Sequence, residues 1–158
     1  MTVLVTGATG NIGSYVVEQL VKRGADVRAL VRDPAKASFP AGVDVVRGDL
    51  LDVDSLRDAM KGVSTLFLLN AVVERMIEQM GMGATILRPA YYMDNEITIL
   101  DAITGYGIYP MPIGDKGLAM IDARDIGEIA AIELVRREQS PTPLPLTRIN
   151  LVGPDTLT

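Results

Sequence analysis

Apolar positions along this 158-residue chain switch repeatedly between short continuous runs and helical spacing. Residues 2–6 are short, β-branched and ended by glycine, which predicts a buried strand. Over 11–23, Ile12, Val16, Val17, Leu20 and Val21 recur on one helical face, and Gly24 is placed to end that helix. Strands are predicted at 26–31 and 43–47, joined by the proline-containing loop 33–42 with one helical turn. A short helix follows at 53–61, with Asp52 or Asp54 as its cap and Gly62 closing it. A fourth strand is predicted at 65–69, an amphipathic helix carrying Val72, Val73, Met76, Ile77 and Met80, and a fifth strand at 84–87. Beyond Pro89 the rhythm weakens. A helix is expected at 94–103, a glycine- and proline-punctuated loop at 105–117, and a short strand at 118–121. A helix at 125–137, with Asp125 and Glu128 at capping-box spacing, and a strand at 148–152 complete the reading. Alternating strands and helices imply parallel βαβ units with right-handed crossovers. The expected architecture is a shortened, doubly wound Rossmann-like α/β sheet in a single domain, 1–158.

Composition narrows the chemistry. With no histidine and no cysteine, the chain has no Ser-His triad, no thiolate and no common zinc ligand, and no metal site is expected. Acid–base work falls to Asp, Glu, Lys or Tyr. A net charge of −5 and a pI near 4.7 argue against a nucleic-acid partner. No run approaches the ~20 apolar residues of a membrane span. The start Met1-Thr2-Val3-Leu4-Val5 lacks a basic prelude, so no signal peptide and a cytoplasmic location are expected.

The glycine string has a chemical reading. Val3-Leu4-Val5-Thr6-Gly7-Ala8-Thr9-Gly10-Asn11-Ile12-Gly13 sets three glycines between a strand and a helix. One can make the sharp turn, one can admit a pyrophosphate to the backbone, and one can let helix and strand pack closely. The helix start adds free amides and the positive end of its dipole. The other reading is a tight turn that binds nothing.

This Gly-x-x-Gly-x-x-Gly string resembles the NmrA-like branch of the atypical short-chain dehydrogenase/reductases, including its NAD(P)H:quinone-oxidoreductase-like members. The resemblance continues through Ala29-Leu30-Val31-Arg32-Asp33-Pro34, Gly48-Asp49-Leu50, Leu87-Arg88-Pro89-Ala90-Tyr91-Tyr92-Met93-Asp94-Asn95 and Ile121-Asp122-Ala123-Arg124-Asp125-Ile126. It makes Gly7, Thr9, Gly10, Asn11, Ile12, Gly13 and Pro89 cofactor-binding candidates. Arg32 and Lys36 follow the second strand, where an arginine accommodates a ribose 2'-phosphate and an acid prefers the hydroxyl. NADP(H) is therefore favoured over NAD(H), with Asp33 keeping NAD open. The resemblance sets Asp49 and Leu50 against the adenine, although Asp49 also reads as a turn acid. Asn70 reads as a cofactor contact or as a helix cap. Tyr91 and Tyr92 are the candidate proton donors, or else packed aromatics. The methionines read as pocket lining or core filler, and 105–117 as lid or connector. Asp122 and Asp125 read as cap and turn residues.

Reductases of this kind commonly use Tyr-x-x-x-Lys. Four residues before Lys22, Lys36, Lys61 and Lys116 stand Glu18, Arg32, Arg57 and Pro112, so the pair is absent. The resemblance also implies that an α–β unit is missing between Ala71 and Val72 and that the C-terminal region is short. The sheet could then close up in the order 3-2-1-4-5. A natural remnant, an engineered minimal domain and a sequence missing internal segments all fit this pattern. Two functions follow: a reductase of quinone-like, flat apolar substrates, or a non-catalytic NADP(H)-sensing module that signals through a protein partner. A scaffold with a vestigial site is a third.

Overall fold

A computed structural model describes residues 2–68, 83–110, 118–153 and 156–157. The elements are β1 (Thr2–Val5), α1 (Asn11–Lys22), β2 (Asp26–Val31), β3 (Asp44–Arg47), α2 (Val53–Ala59), β4 (Val63–Phe67), β5 (Thr85–Pro89), β6 (Tyr91–Tyr92), α3 (Leu100–Tyr106), β7 (Leu118–Ile121), α4 (Ala123–Gln139), β8 (Thr147–Leu151) and β9 (Thr156–Leu157). Short 3-10 segments occupy Pro34–Lys36 and Met93–Ile99.

β1 lies inside a parallel sheet of order β3-β2-β1-β4. Its alternation assigns the two faces. Val3 and Val5 join Val27, Ala29 and Val31 of β2 beneath Ile12, Val16, Val17 and Leu20 of α1 and Ile126, Ala130, Ala131 and Leu134 of α4. Leu4 and Leu30 point the other way, to Ala59 and Leu56 of α2. Each large apolar side chain buried this way contributes about 1.5–3 kcal/mol. α4 lies against α1 because small residues face it: a Cβ on Gly127 would stand 2.5 Å from Tyr15 Cβ.

The α/β class and the parallel 3-2-1-4 order agree with the sequence reading, and several details differ. β4 begins two residues earlier than expected, because Gly62 ends α2 at φ +72° and releases the chain straight into Val63. α4 begins at Ala123 with Asp122 as its cap, not Asp125, because the Asp122 carboxylate accepts the Arg124 amide. Residues 94–103 divide into a 3-10 segment and α3, which ends in a left-handed Gly107. The strands β6 and β9 were not foreseen. The helix expected around 72–80 lies outside the described residues.

The expected order 3-2-1-4-5 is corrected as well. β5 pairs in parallel with β8, from Thr85 opposite Thr147 to Pro89 opposite Leu151, rather than with β4. Side chains of α4 span the two sheets instead. Ser64 Oγ of β4 lies 3.2 Å from Glu138 Oε1, and Arg137 Nε donates to Thr85 Oγ1 of β5 at 2.7 Å.

Candidate functional site

The carboxyl ends of β1 and β2 present the sequence-predicted residues along one edge. The loop after β1 turns at Gly7, whose φ of +61° favours glycine. Gly10 N–H donates to Gly7 O at 2.9 Å, closing the turn. Gly13 sits so close that a Cβ there would stand 2.1 Å from Gly7 O, and a Cβ on Gly10 would stand 3.2 Å from the same atom. The three glycines thus divide the work: a turn at Gly7, an open approach at Gly10, a close helix-to-loop contact at Gly13.

Helix α1 begins at this loop with Gly10 as its cap, no capping side chain and no acid in its first turn. Its first amides and the positive end of its dipole therefore meet no capping side chain among the described residues. Gly7, Thr9, Gly10 and Asn11 are exposed, whereas Ile12 and Gly13 are buried. Ile12 lies in the main core, so only its backbone amide is available to a ligand. This cradle, open at the amides and closed to a Cβ at Gly13, fits an anionic dinucleotide. Thr6, missed in the sequence reading, holds the edge together: its N–H and Oγ1 both reach Phe67 O, at 3.1 and 3.0 Å. A polar residue ending a buried strand was the available signal.

Arg32 follows β2, is exposed, and among the described residues has no hydrogen bond or ion pair. Its neighbours are already engaged. Asp33 accepts from Ala35 N at 3.2 Å, and Lys36 Nζ lies 3.5 Å from Asp33 Oδ2. Asp49 forms the turn its second reading anticipated, accepting from Leu51 N at 3.0 Å. Leu50 lines an apolar cavity of about 210 Å³ with Leu4, Thr6, Leu56, Met60, Leu66 and Leu68. Asn70 lies outside the described residues.

Pro89 ends β5, half-buried, and leads into β6. β6 pairs with β7, Tyr91 opposite Met120 and Tyr92 opposite Ile121. Tyr92 packs against the main core, the packed role weighed for it. Tyr91 is half-buried. Tyr109, which sequence reasoning passed over, donates its hydroxyl to Glu96 Oε1 at 2.8 Å. That hydrogen bond to a carboxylate, more than any burial, pushes the Tyr109 phenol up to about 12. At the start of α4 the Arg124 side chain and backbone amide hold the Asp122 carboxyl below its ordinary range. Among the described residues no group of carboxylates could hold a metal ion, and no helix is long and apolar enough to cross a membrane.

The chain is similar to known proteins in sequence and fold. The model of the NmrA-like family matches residues 1–71. NAD(P)H azoreductase of Xenophilus azovorans is 27% identical over 192 residues, covering 92% of this chain and 67% of that protein. Quinone oxidoreductase 2 of Escherichia coli (strain K12) is 25% identical over 178 residues, covering 82% of this chain and 62% of the relative. The chain thus spans about two thirds of the length of these relatives. Both alignments are longer than the 158-residue chain, so each relative carries internal residues without a counterpart here. The family match stops at Ala71, where the sequence reading set the missing unit. Among solved structures, a Rossmann-fold NAD(P)-binding family protein from Shigella flexneri superposes with a TM-score of 0.61 at 22% identity, covering 87% of this chain and 88% of that one. Residues 1–71 are thus similar to the NmrA-like family, and the chain has the Rossmann-type α/β fold of the solved structure.

Proposed function

We propose that this protein binds NADP(H) along the β1–β2 edge and uses it to reduce quinone-like acceptors. The observation that carries the reading is the uncapped, acid-free start of α1 behind the glycine turn. Amides of Gly10, Asn11 and Ile12 would meet the pyrophosphate, and Gly13 keeps them in place by its contact with Gly7. Arg32, exposed and without a partner among the described residues, would take the ribose 2'-phosphate, which supports NADP(H) over NAD(H). The cavity beside Leu50 and Leu66 suits the flat adenine. Pro89 would stand near the nicotinamide, and Asn70 is retained as a cofactor contact. The names of the azoreductase and quinone oxidoreductase relatives support an oxidoreductase reading.

When bound, the reduced nicotinamide supplies the hydride; the chain's own residues hold, orient and protonate. Tyr91, at the carboxyl edge after β5, would donate the proton, with water as the alternative source. Tyr92 would keep the floor of that region packed. The protein is proposed to act as a single domain, 1–158, in the cytoplasm. The missing Tyr-x-x-x-Lys pair favours a second reading, a module that binds NADP(H) without turning it over and answers to a protein partner. NADPH oxidation with a quinone panel and with simple ketones separates the two. Quinone turnover with ketones near background supports the reductase. Saturable binding with no turnover supports the module, and robust ketone reduction contradicts both.

A further inference from the structure

Helices α1 and α4 lie side by side on one face of the sheet and begin at the same edge. α1 ends at Gly24, ahead of Asp26, which stands opposite Thr2 at the start of β1. The far end of α4 reaches that same end of the sheet. There, Ser64 Oγ lies 3.2 Å from Glu138 and 3.1 Å from Thr2 O, and Arg137 meets Thr85 at the start of β5. The two helices therefore run parallel, with their first turns at the carboxyl edge. They touch where Gly127 meets Tyr15. One turn nearer the edge, Arg124 of α4 comes level with Asn11 and Ile12 of α1, given about 1.5 Å of rise per residue. Its neighbour Ala123 shares the buried cluster that contains Ala8 of the glycine loop.

Arg124 has no part in the core, since 70% of its side chain is exposed. It is nevertheless paired. Nε lies 3.0 Å from both carboxylate oxygens of Asp122, and Asp122 is itself fixed by capping α4. Asp125, in the same first turn, and Tyr15, across the helix contact, are the other ionisable groups beside it. From Gly7 to Ser14 the loop contains no lysine or arginine, so a pyrophosphate there would meet amides but no cation of the loop itself. We propose that Arg124, positioned by Asp122, is the cation that contacts the dinucleotide's pyrophosphate. The assignment rests on the dinucleotide-binding reading and adds to it a residue from the far helix. A guanidinium carries five N–H donors, so those not engaged by Asp122 can make a charge-assisted contact to an oxyanion.

The test is calorimetric titration of wild type, Arg124→Ala and Arg32→Ala with ADP-ribose, NADH and NADPH. ADP-ribose carries the pyrophosphate without a 2'-phosphate or nicotinamide. Arg124→Ala is expected to weaken all three by a similar factor, about tenfold, with a melting midpoint lowered only slightly by the loss of its exposed pair with Asp122. Arg32→Ala is expected to weaken NADPH alone. Arg124→Ala binding ADP-ribose like wild type, or losing affinity for NADPH only, overturns the assignment while leaving the binding reading intact. Wild type that binds none of the three overturns the binding reading and this assignment with it.

Discussion

Substituting alanine at Gly13 tests whether the glycine loop is held by a steric contact that the sequence pattern implies and the structure measures. The new Cβ would lie 2.1 Å from Gly7 O, 2.7 Å from Gly7 C and 3.0 Å from Ala8 Cα, all backbone atoms that cannot rotate away. The loop would have to retreat by about 1 Å to reach ordinary contact. Gly7 O also accepts the Gly10 amide at 2.9 Å, so the retreat strains that turn bond. Overpacking of this kind costs about 1–3 kcal/mol, and a lost backbone bond about 1 kcal/mol more. The sum, about 2–4 kcal/mol, corresponds to a fall in midpoint of roughly 5–15 °C for a domain of this size. Gly105→Ala is the control. It sits in helix α3 with nothing among the described residues within 4 Å of an added Cβ, so alanine is expected to be neutral or slightly stabilising there. Thermal melts followed by circular dichroism, with NADPH titrations on the same samples, provide the readout. A Gly13→Ala protein that melts with wild type and binds NADPH normally would refute the reasoning.

Arg32→Ala is expected to cost about 1.5–3 kcal/mol of NADPH affinity, roughly 10- to 150-fold, and little for NADH; equal losses in calorimetry would remove Arg32 from the 2'-phosphate. Asp122→Ala is expected to lower stability by about 0.5–2 kcal/mol through loss of the α4 cap, measured by urea denaturation. Because Arg124 depresses the folded-state pKa of Asp122, the unfolded state binds more protons in the acid range. The contribution of Asp122 is therefore full above the ordinary carboxylate pKa and fades as pH falls through the lower folded value. The gap between wild type and variant should close with acidification, and a gap that widens would contradict the sign. Tyr91→Phe is expected to slow quinone reduction more than Tyr92→Phe does, since the Tyr92 ring packs against the core; the reverse order in NADPH-oxidation rates would reassign the proton donor.

Much of this architecture was readable because period and punctuation agreed. Ile12, Val16, Val17 and Leu20 named both the helix and its buried face, and Gly24 ended it where expected. Strand pairing was less legible. The run around Thr85 says that a strand exists but not whose edge it takes, and β8 takes it in place of β4. The start of α4 falls two residues earlier than the pattern predicts, because Asp122 and Asp125 both have the chemistry of a cap. Only the Arg124 amide, pointing at Asp122, decides between them. The site divides similarly. Glycine identity gave the loop, because only glycine tolerates the φ at Gly7 and the contact at Gly13. The partners Thr6–Phe67 and Glu96–Tyr109 depend on packing between distant segments or on loop geometry, which no local pattern encodes.

The central claim is that the glycine loop binds a dinucleotide, and an NADPH fluorescence titration of wild type beside Gly10→Val tests it most directly. A Cβ at Gly10 would already stand 3.2 Å from Gly7 O, and valine adds two methyl groups beside the amides that a pyrophosphate must reach. The account predicts saturable binding by wild type on material of intact mass 17.0 kDa. It predicts none by Gly10→Val, whose circular dichroism spectrum remains that of a folded α/β protein. Unchanged affinity in Gly10→Val, or a wild type that never saturates, would contradict it.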